Sequence, residues 1–95
     1  MELQTFTTSA ELAKRADVST EYLNGLIDEY TGSLSKYGGL KFKTSADGSI
    51  SCFSLNEPQA MLIVLLMKNT TKSMDLKQEF IKKMHDMRKE QEQWN

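Results

Sequence analysis

Ala60–Met67, read as AMLIVLLM, is an unbroken apolar run in a chain whose mean hydropathy is only −0.50. Asn56, Glu57, Pro58 and Gln59 precede it and read as a helix start. Asn56 accepts from the orphan amides of the first turn, Gln59 reaches back to complete a capping box, and Pro58 is tolerated there. A helix apolar on every side has no face to give to water, so it is expected to be buried all round. A membrane span needs about 20 such residues, which makes this a core helix over 57–67 and predicts no membrane partner. A chain of 95 residues has little other surface to cover it, so a second subunit is expected to help.

Length fits one small domain near the lower end of what folds on its own core. The net charge of −1, with 26% charged residues, is ordinary for a soluble protein. The N-terminus lacks the basic-then-apolar order of a signal peptide. The single cysteine, Cys52, cannot form an internal disulfide and suggests a reducing, cytoplasmic setting. Charge is uneven. Up to Ser35 only Lys14 and Arg15 oppose Glu2, Glu11, Asp17, Glu21, Asp28 and Glu29, whereas Lys36, Lys41 and Lys43 make the next segment mildly basic. The basic footprint of a dedicated DNA-binding domain is missing overall.

Upstream of the apolar run, residues 7–30 read as two short helices around a tight turn. Thr8 or Ser9 caps the first, the break falls near Asp17 and Val18, and Ser19 or Thr20 caps the second. Tyr22, Leu23, Leu26, Ile27 and Tyr30 recur at helical spacing. This is the layout of a helix-turn-helix, though spacing alone equally suits an αα-hairpin. Thr31 to Gly39 reads as a glycine- and serine-rich loop. Over 37–55, two alternating runs flank Asp47-Gly48, the signal of a β-hairpin. It is expected to bury Leu40, Phe42, Ile50 and Cys52, and to set Lys41 and Lys43 on the outer side as in a wing.

Downstream, Lys68–Lys72 breaks the helix, and Thr70, Thr71 or Ser73 caps an amphipathic helix over 73–94. Leu76, Phe80, Met84, Met87 and Trp94 form a heptad-like stripe. The fold class is therefore α+β: helix-turn-helix, hairpin, buried helix, amphipathic helix. No catalytic constellation is present. His85 reads as a solvated residue, Gly38-Gly39 lacks the lysine and helix of a phosphate loop, and Cys52 with His85 is no zinc set. The expectation is no enzyme, no cofactor, no metal and no small-molecule substrate.

The block from Tyr37 to Met84, YGGLKFKTSADGSISCFSLNEPQAMLIVLLMKNTTKSMDLKQEFIKKM, resembles the Rha-type phage regulatory proteins. The order of parts carries the resemblance: a glycine entry to a strand, a hairpin ending in Leu55-Asn56-Glu57, then LMKNT and LKQEFIKKM. The segment TTSAELAKRADVSTEYLNGLIDE is similar to the family's N-terminal half. The resemblance implies a regulator of lysis–lysogeny control in a bacterial host. Some small relatives look like antirepressors, so the resemblance also implies binding to a phage repressor protein. Where the family commonly carries basic residues for DNA, this chain has Ser19, Thr20 and Asn24, with Glu21, Asp28 and Glu29 nearby. The expected partner face is thus Glu21, Asn24, Asp28 and Glu29 against a basic repressor surface. Leu62, Val64, Leu65, Leu66, Phe80, Met84, Met87 and Trp94 are expected to build the core and the contacts of a homo-oligomer, dimer or tetramer. The alternative is a winged helix-turn-helix regulator touching DNA through Thr20, Asn24, Lys36, Lys41 and Lys43.

Overall fold

The computed structural model describes the backbone of residues 4–93 and the side chains of residues 4–86. The chain is α+β, with five α-helices and a three-stranded antiparallel sheet among the described residues. In order these are β1 (Thr7–Thr8), α1 (Ser9–Ala16), α2 (Thr20–Glu29), α3 (Thr31–Leu34), a 3-10 turn (Ser35–Tyr37), β2 (Lys41–Thr44), β3 (Ile50–Leu55), α4 (Glu57–Leu66) and α5 (Thr71–Gln93).

The two N-terminal helices start and stop where their side chains dictate. Thr8 caps α1 by accepting from the Glu11 amide, and Ser19 caps α2 by accepting from the Tyr22 amide. Asp17 ends α1 in the left-handed conformation, φ 57°, a position where a short polar residue is less penalised than a branched one. Leu12, Ala13 and Ala16 of α1 and Leu23 and Ile27 of α2 then enter one core with Leu55, Ala60, Ile63 and Val64. Two readings of this half need correction. Thr7–Thr8, the cap residue included, pair as a short strand before the helix begins, and Thr31–Tyr37 is a helical turn rather than a loop.

The sheet order is β1-β3-β2. Thr7 pairs with Leu55, so the short β1 occupies the side of β3 away from β2. The expected buried face of the hairpin is also corrected. Phe53 and Leu55 are buried, whereas Phe42 is 55% and Ile50 is 41% exposed, and Cys52 and Leu40 are intermediate. The register, in which Phe42 pairs with Phe53, sets Cys52 on the reverse face, and a bulge follows only beyond it. Lys43 pairs with Cys52, but Thr44 pairs with Ile50, leaving Ser51 as the extra residue. Strict alternation fails across a bulge. Phe42 does share a face with Phe53, their rings meeting edge-on at 6.2 Å. Cys52 lies on the reverse face beside Lys43. In the tight turn Gly48 takes φ 86°. Asp47 accepts from both the amide and the hydroxyl of Ser49, which holds its carboxyl below the ordinary carboxylate value.

Helix α4 opens with the expected capping box: Asn56 accepts from the Gln59 amide and the Gln59 side chain accepts from the Asn56 amide, each at 3.0 Å. The spare amide nitrogens then fasten the preceding turn. Asn56 Nδ2 donates to the Tyr37 carbonyl at 2.8 Å, and Gln59 Nε2 donates to those of Leu34 and Gly38 at 3.2 and 2.9 Å. Gly38 sits at φ 135°, and a Cβ there would lie 3.0 Å from Asn56 Nδ2, so the clasp closes only over glycine.

The expectation that α4 is buried all round is not met. Gln59, Ala60, Ile63, Val64 and Met67 face the core, but Leu65 and Leu66 are exposed and Met61 and Leu62 half-buried. Residues at i, i+3 and i+4 share a helix face, and this chain supplies covering elements for that face alone. Helix α5 begins slightly early. Thr70 accepts from the Ser73 amide while Ser73 Oγ accepts from the Thr70 amide, and Thr70 Oγ1 donates to the Ala16 carbonyl at 2.6 Å, which ties the helix start to α1. Among the described residues, no helix is long and apolar enough to cross a membrane.

Candidate functional site

Three surfaces hold the residues singled out by the sequence. The first is the outer side of α2, where Glu21, Asp28 and Glu29 are exposed, with no basic residue in the last turn of the helix. Asn24 does not share their situation. Its Oδ1 accepts from Ser9 Oγ at 2.7 Å and its Nδ2 donates to the Ser51 carbonyl at 3.2 Å. Ser9 Oγ in turn accepts from the Phe53 amide at 2.9 Å. Asn24 thereby bolts α2 to α1 and to the bulge of β3, and its amide is committed inside the fold. Asn24→Ala is expected to cost about 1 kcal/mol of stability, chiefly by removing the acceptor of the buried Ser9 hydroxyl. Urea unfolding measures it, and a midpoint unchanged from the parent protein would refute the bolt.

The second surface is basic. Lys36 in the 3-10 turn and Lys41 and Lys43 on β2 are all exposed. Lys41 and Lys43, two residues apart, lie on one face of the sheet, the face that also carries Cys52. Thr20, at the first turn of α2, is half-buried and on a different element. Thr20 and Asn24 lie one turn apart on α2, and Asn24 donates to Ser51, whose hydroxyl donates to the Lys43 carbonyl.

The third surface is apolar and lies between α4 and α5. Lys77 Nζ donates to the Met67 carbonyl at 2.9 Å, and Lys83 pairs with Glu57 at 3.5 Å, so α5 runs back along α4. A groove of about 230 Å³ between them is lined by Tyr37, Pro58, Met61, Leu62, Leu65 and Met84. Leu65 is 55%, Met84 57% and the adjacent Ile81 60% exposed. A single chain rarely leaves large apolar side chains clustered in water unless something covers them. Of the residues assigned to core and oligomer contacts, Val64 is wholly buried, Leu62 and Phe80 are half-buried, and Leu65, Leu66 and Met84 are exposed. Met87 and Trp94 fall outside the residues whose side chains are described. Tyr37, Met61 and Ile81 were not anticipated. Ile81 falls outside the heptad stripe, and only its neighbour Phe80 marked that turn of the helix.

The described residues contain no group of three His, Cys, Asp or Glu side chains placed to hold a metal ion. A further cavity, of about 380 Å³, is lined by Gln4, Thr5, Phe6, Glu57 and Pro58. It brings no acid, base and nucleophile together. Comparison with protein-family models, with curated proteins and with solved structures finds no match.

Proposed function

We propose that the protein is a phage regulator of the antirepressor kind, a homo-oligomer that relieves repression by binding a phage repressor protein directly. The observation that supports this reading is the character of α2. In a helix-turn-helix, α2 would be the reading helix, and here its accessible side chains are Glu21, Asp28 and Glu29, while its Asn24 amide is engaged by Ser9 and Ser51. Phosphates repel such a face. The basic DNA-binding surface of a repressor attracts it. The test starts from the repressor of the same prophage bound to fluorescent operator DNA. Adding this protein is expected to release the DNA, read as a fall in anisotropy, and a triple variant, E21K with D28K and E29K, is expected to release little. No release by the unaltered protein would end this reading.

A second reading is favoured by the exposed lysines Lys36, Lys41 and Lys43: a winged helix-turn-helix regulator whose hairpin meets phosphate. It predicts direct binding to operator DNA that weakens steeply as salt rises. The antirepressor reading predicts none in the same low-salt titration.

A further inference from the structure

We propose that the open edge of β2 takes up an extended segment of a partner protein in which acidic and apolar residues alternate, adding it to the sheet as a further strand. The sheet order β1-β3-β2 leaves β2 at the margin, with no strand beyond it among the described residues. Every side chain of β2 is exposed. The ladder fixes which of its backbone groups face outward. The Phe53 amide donates to the hydroxyl of Ser9, the residue that continues β1, and so points away from β2. Phe42 and Phe53 therefore face each other as a pair that exchanges no backbone hydrogen bonds, and the amide and carbonyl of Phe42 point to the open side. One residue on, the Lys43 carbonyl accepts from Ser51 Oγ of β3, and the Ser45 amide donates to the Ser49 carbonyl. Both face inward, which turns Thr44 outward with Phe42. The donors and acceptors at 42 and 44 are what an added strand pairs with.

Two side chains select what that strand is. Side chains alternate along β2, so Lys43 projects on the face that carries Cys52, and Phe42 on the face that carries Phe53. An antiparallel newcomer sets one residue opposite Phe42 in a hydrogen-bonded pair and the next opposite Lys43, where side chains approach most closely. The first position favours an apolar side chain, because Phe42 is a large aromatic left in water although its ring meets that of Phe53 edge-on. The second favours a carboxylate, because opposite charges facing across a strand pair attract. The same lysine argues against a second copy of this chain. Two β2 edges paired about a two-fold axis keep lysine face beside lysine face, and like charges directly opposite repel. Lysine by itself is a common guard on an edge strand. An exposed phenylalanine is no part of such a guard, and it gives this edge something to bind with. The site lies on β2, apart from the acidic side of α2, so it stands or falls independently of the antirepressor reading.

The test uses the full chain and two fluorescein-labelled peptides, one of alternating glutamate and valine, the other of alternating lysine and valine. Anisotropy at low salt is expected to show the acidic peptide bound with a dissociation constant below about 1 mM, and the basic peptide not bound. Methylating the backbone nitrogens of the valines removes the donors that would face β2 and is expected to weaken binding about tenfold. K43E is expected to weaken binding of the acidic peptide about fivefold. Amide hydrogen exchange then locates the contact without any variant. Exchange at Phe42 and Thr44 is expected to slow when the acidic peptide is added, while Lys43, whose amide already faces β3, stays unchanged. No binding of the acidic peptide, equal binding of its methylated form, or slowing elsewhere overturns the inference. So does slowing at Phe42 and Thr44 that grows with protein concentration in the absence of peptide, which makes the edge a contact between copies. Displacement of the acidic peptide by duplex DNA overturns it too, since the edge is then a nucleic-acid surface.

Discussion

Gln59→Leu is expected to destabilise the protein by about 3 kcal/mol, although the substitution is close in size and more apolar. Gln59 is 1% exposed and its side chain makes three hydrogen bonds, accepting from the Asn56 amide and donating to the carbonyls of Leu34 and Gly38. A leucine would gain some transfer energy but orphan all three backbone groups. An orphaned buried group costs about 1–3 kcal/mol, so three of them outweigh a gain of about 1–2 kcal/mol from a leucine side chain. In a chain of this length that corresponds to a fall of about 15 °C in the thermal midpoint. The loss also has a place. It should loosen the 3-10 turn that carries Tyr37, which lines the apolar groove, so hydrogen exchange at residues 34–39 should rise before the helices open. A thermal midpoint within about 3 °C of the parent protein would show that the clasp is incidental.

The same residue shows where reading the chain as a string succeeds and where it stops. Asn56 and Gln59 identify themselves as a capping box because the motif is local, three residues apart, and both halves form. The break at Asp17, the cap at Ser19 and the turn at Asp47-Gly48 were visible for the same reason, since each is decided by a few neighbouring side chains. What Gln59 does with its amide nitrogen was not visible, because its acceptors lie 25 and 21 residues away. The bonds of Asn24 stay hidden in the same way, because its partners Ser9 and Ser51 lie 15 and 27 residues away. The hairpin is where the sequence puts it, but Cys52 falls on the reverse face because Phe42 pairs with Phe53, a register that alternation within each strand does not specify. β1 was missed because two residues are too few to show a period. The acidic side of α2 and the apolar α5 stripe were readable as patterns. That Leu65 and Met84 share a groove follows only from the crossing of two helices.

Ile63→Ala and Leu65→Ala are expected to differ by about 3 kcal/mol, although the two positions sit two residues apart in the same apolar run. Ile63 is completely buried and belongs to the core cluster with Leu23, Ile27, Leu55 and Val64. Its truncation removes buried methyl groups and leaves a cavity that the surrounding helices cannot fill, a change that costs about 2–5 kcal/mol. Leu65 is 55% exposed, so in a monomer its truncation removes little that folding had buried, and the loss is expected below about 0.5 kcal/mol. The run AMLIVLLM is therefore two surfaces written as one. Its Ala60, Ile63, Val64 and Met67 side holds the fold together, and its Met61, Leu62 and Leu65 side lines a groove. Chemical denaturation at a concentration low enough to keep the protein monomeric separates the two costs. Repeating it at high concentration tests the second surface: if another copy covers the groove, the penalty for Leu65→Ala should grow with protein concentration by mass action, while that for Ile63→Ala stays constant. Equal penalties at low concentration would mean that the exposed side of α4 is packed after all.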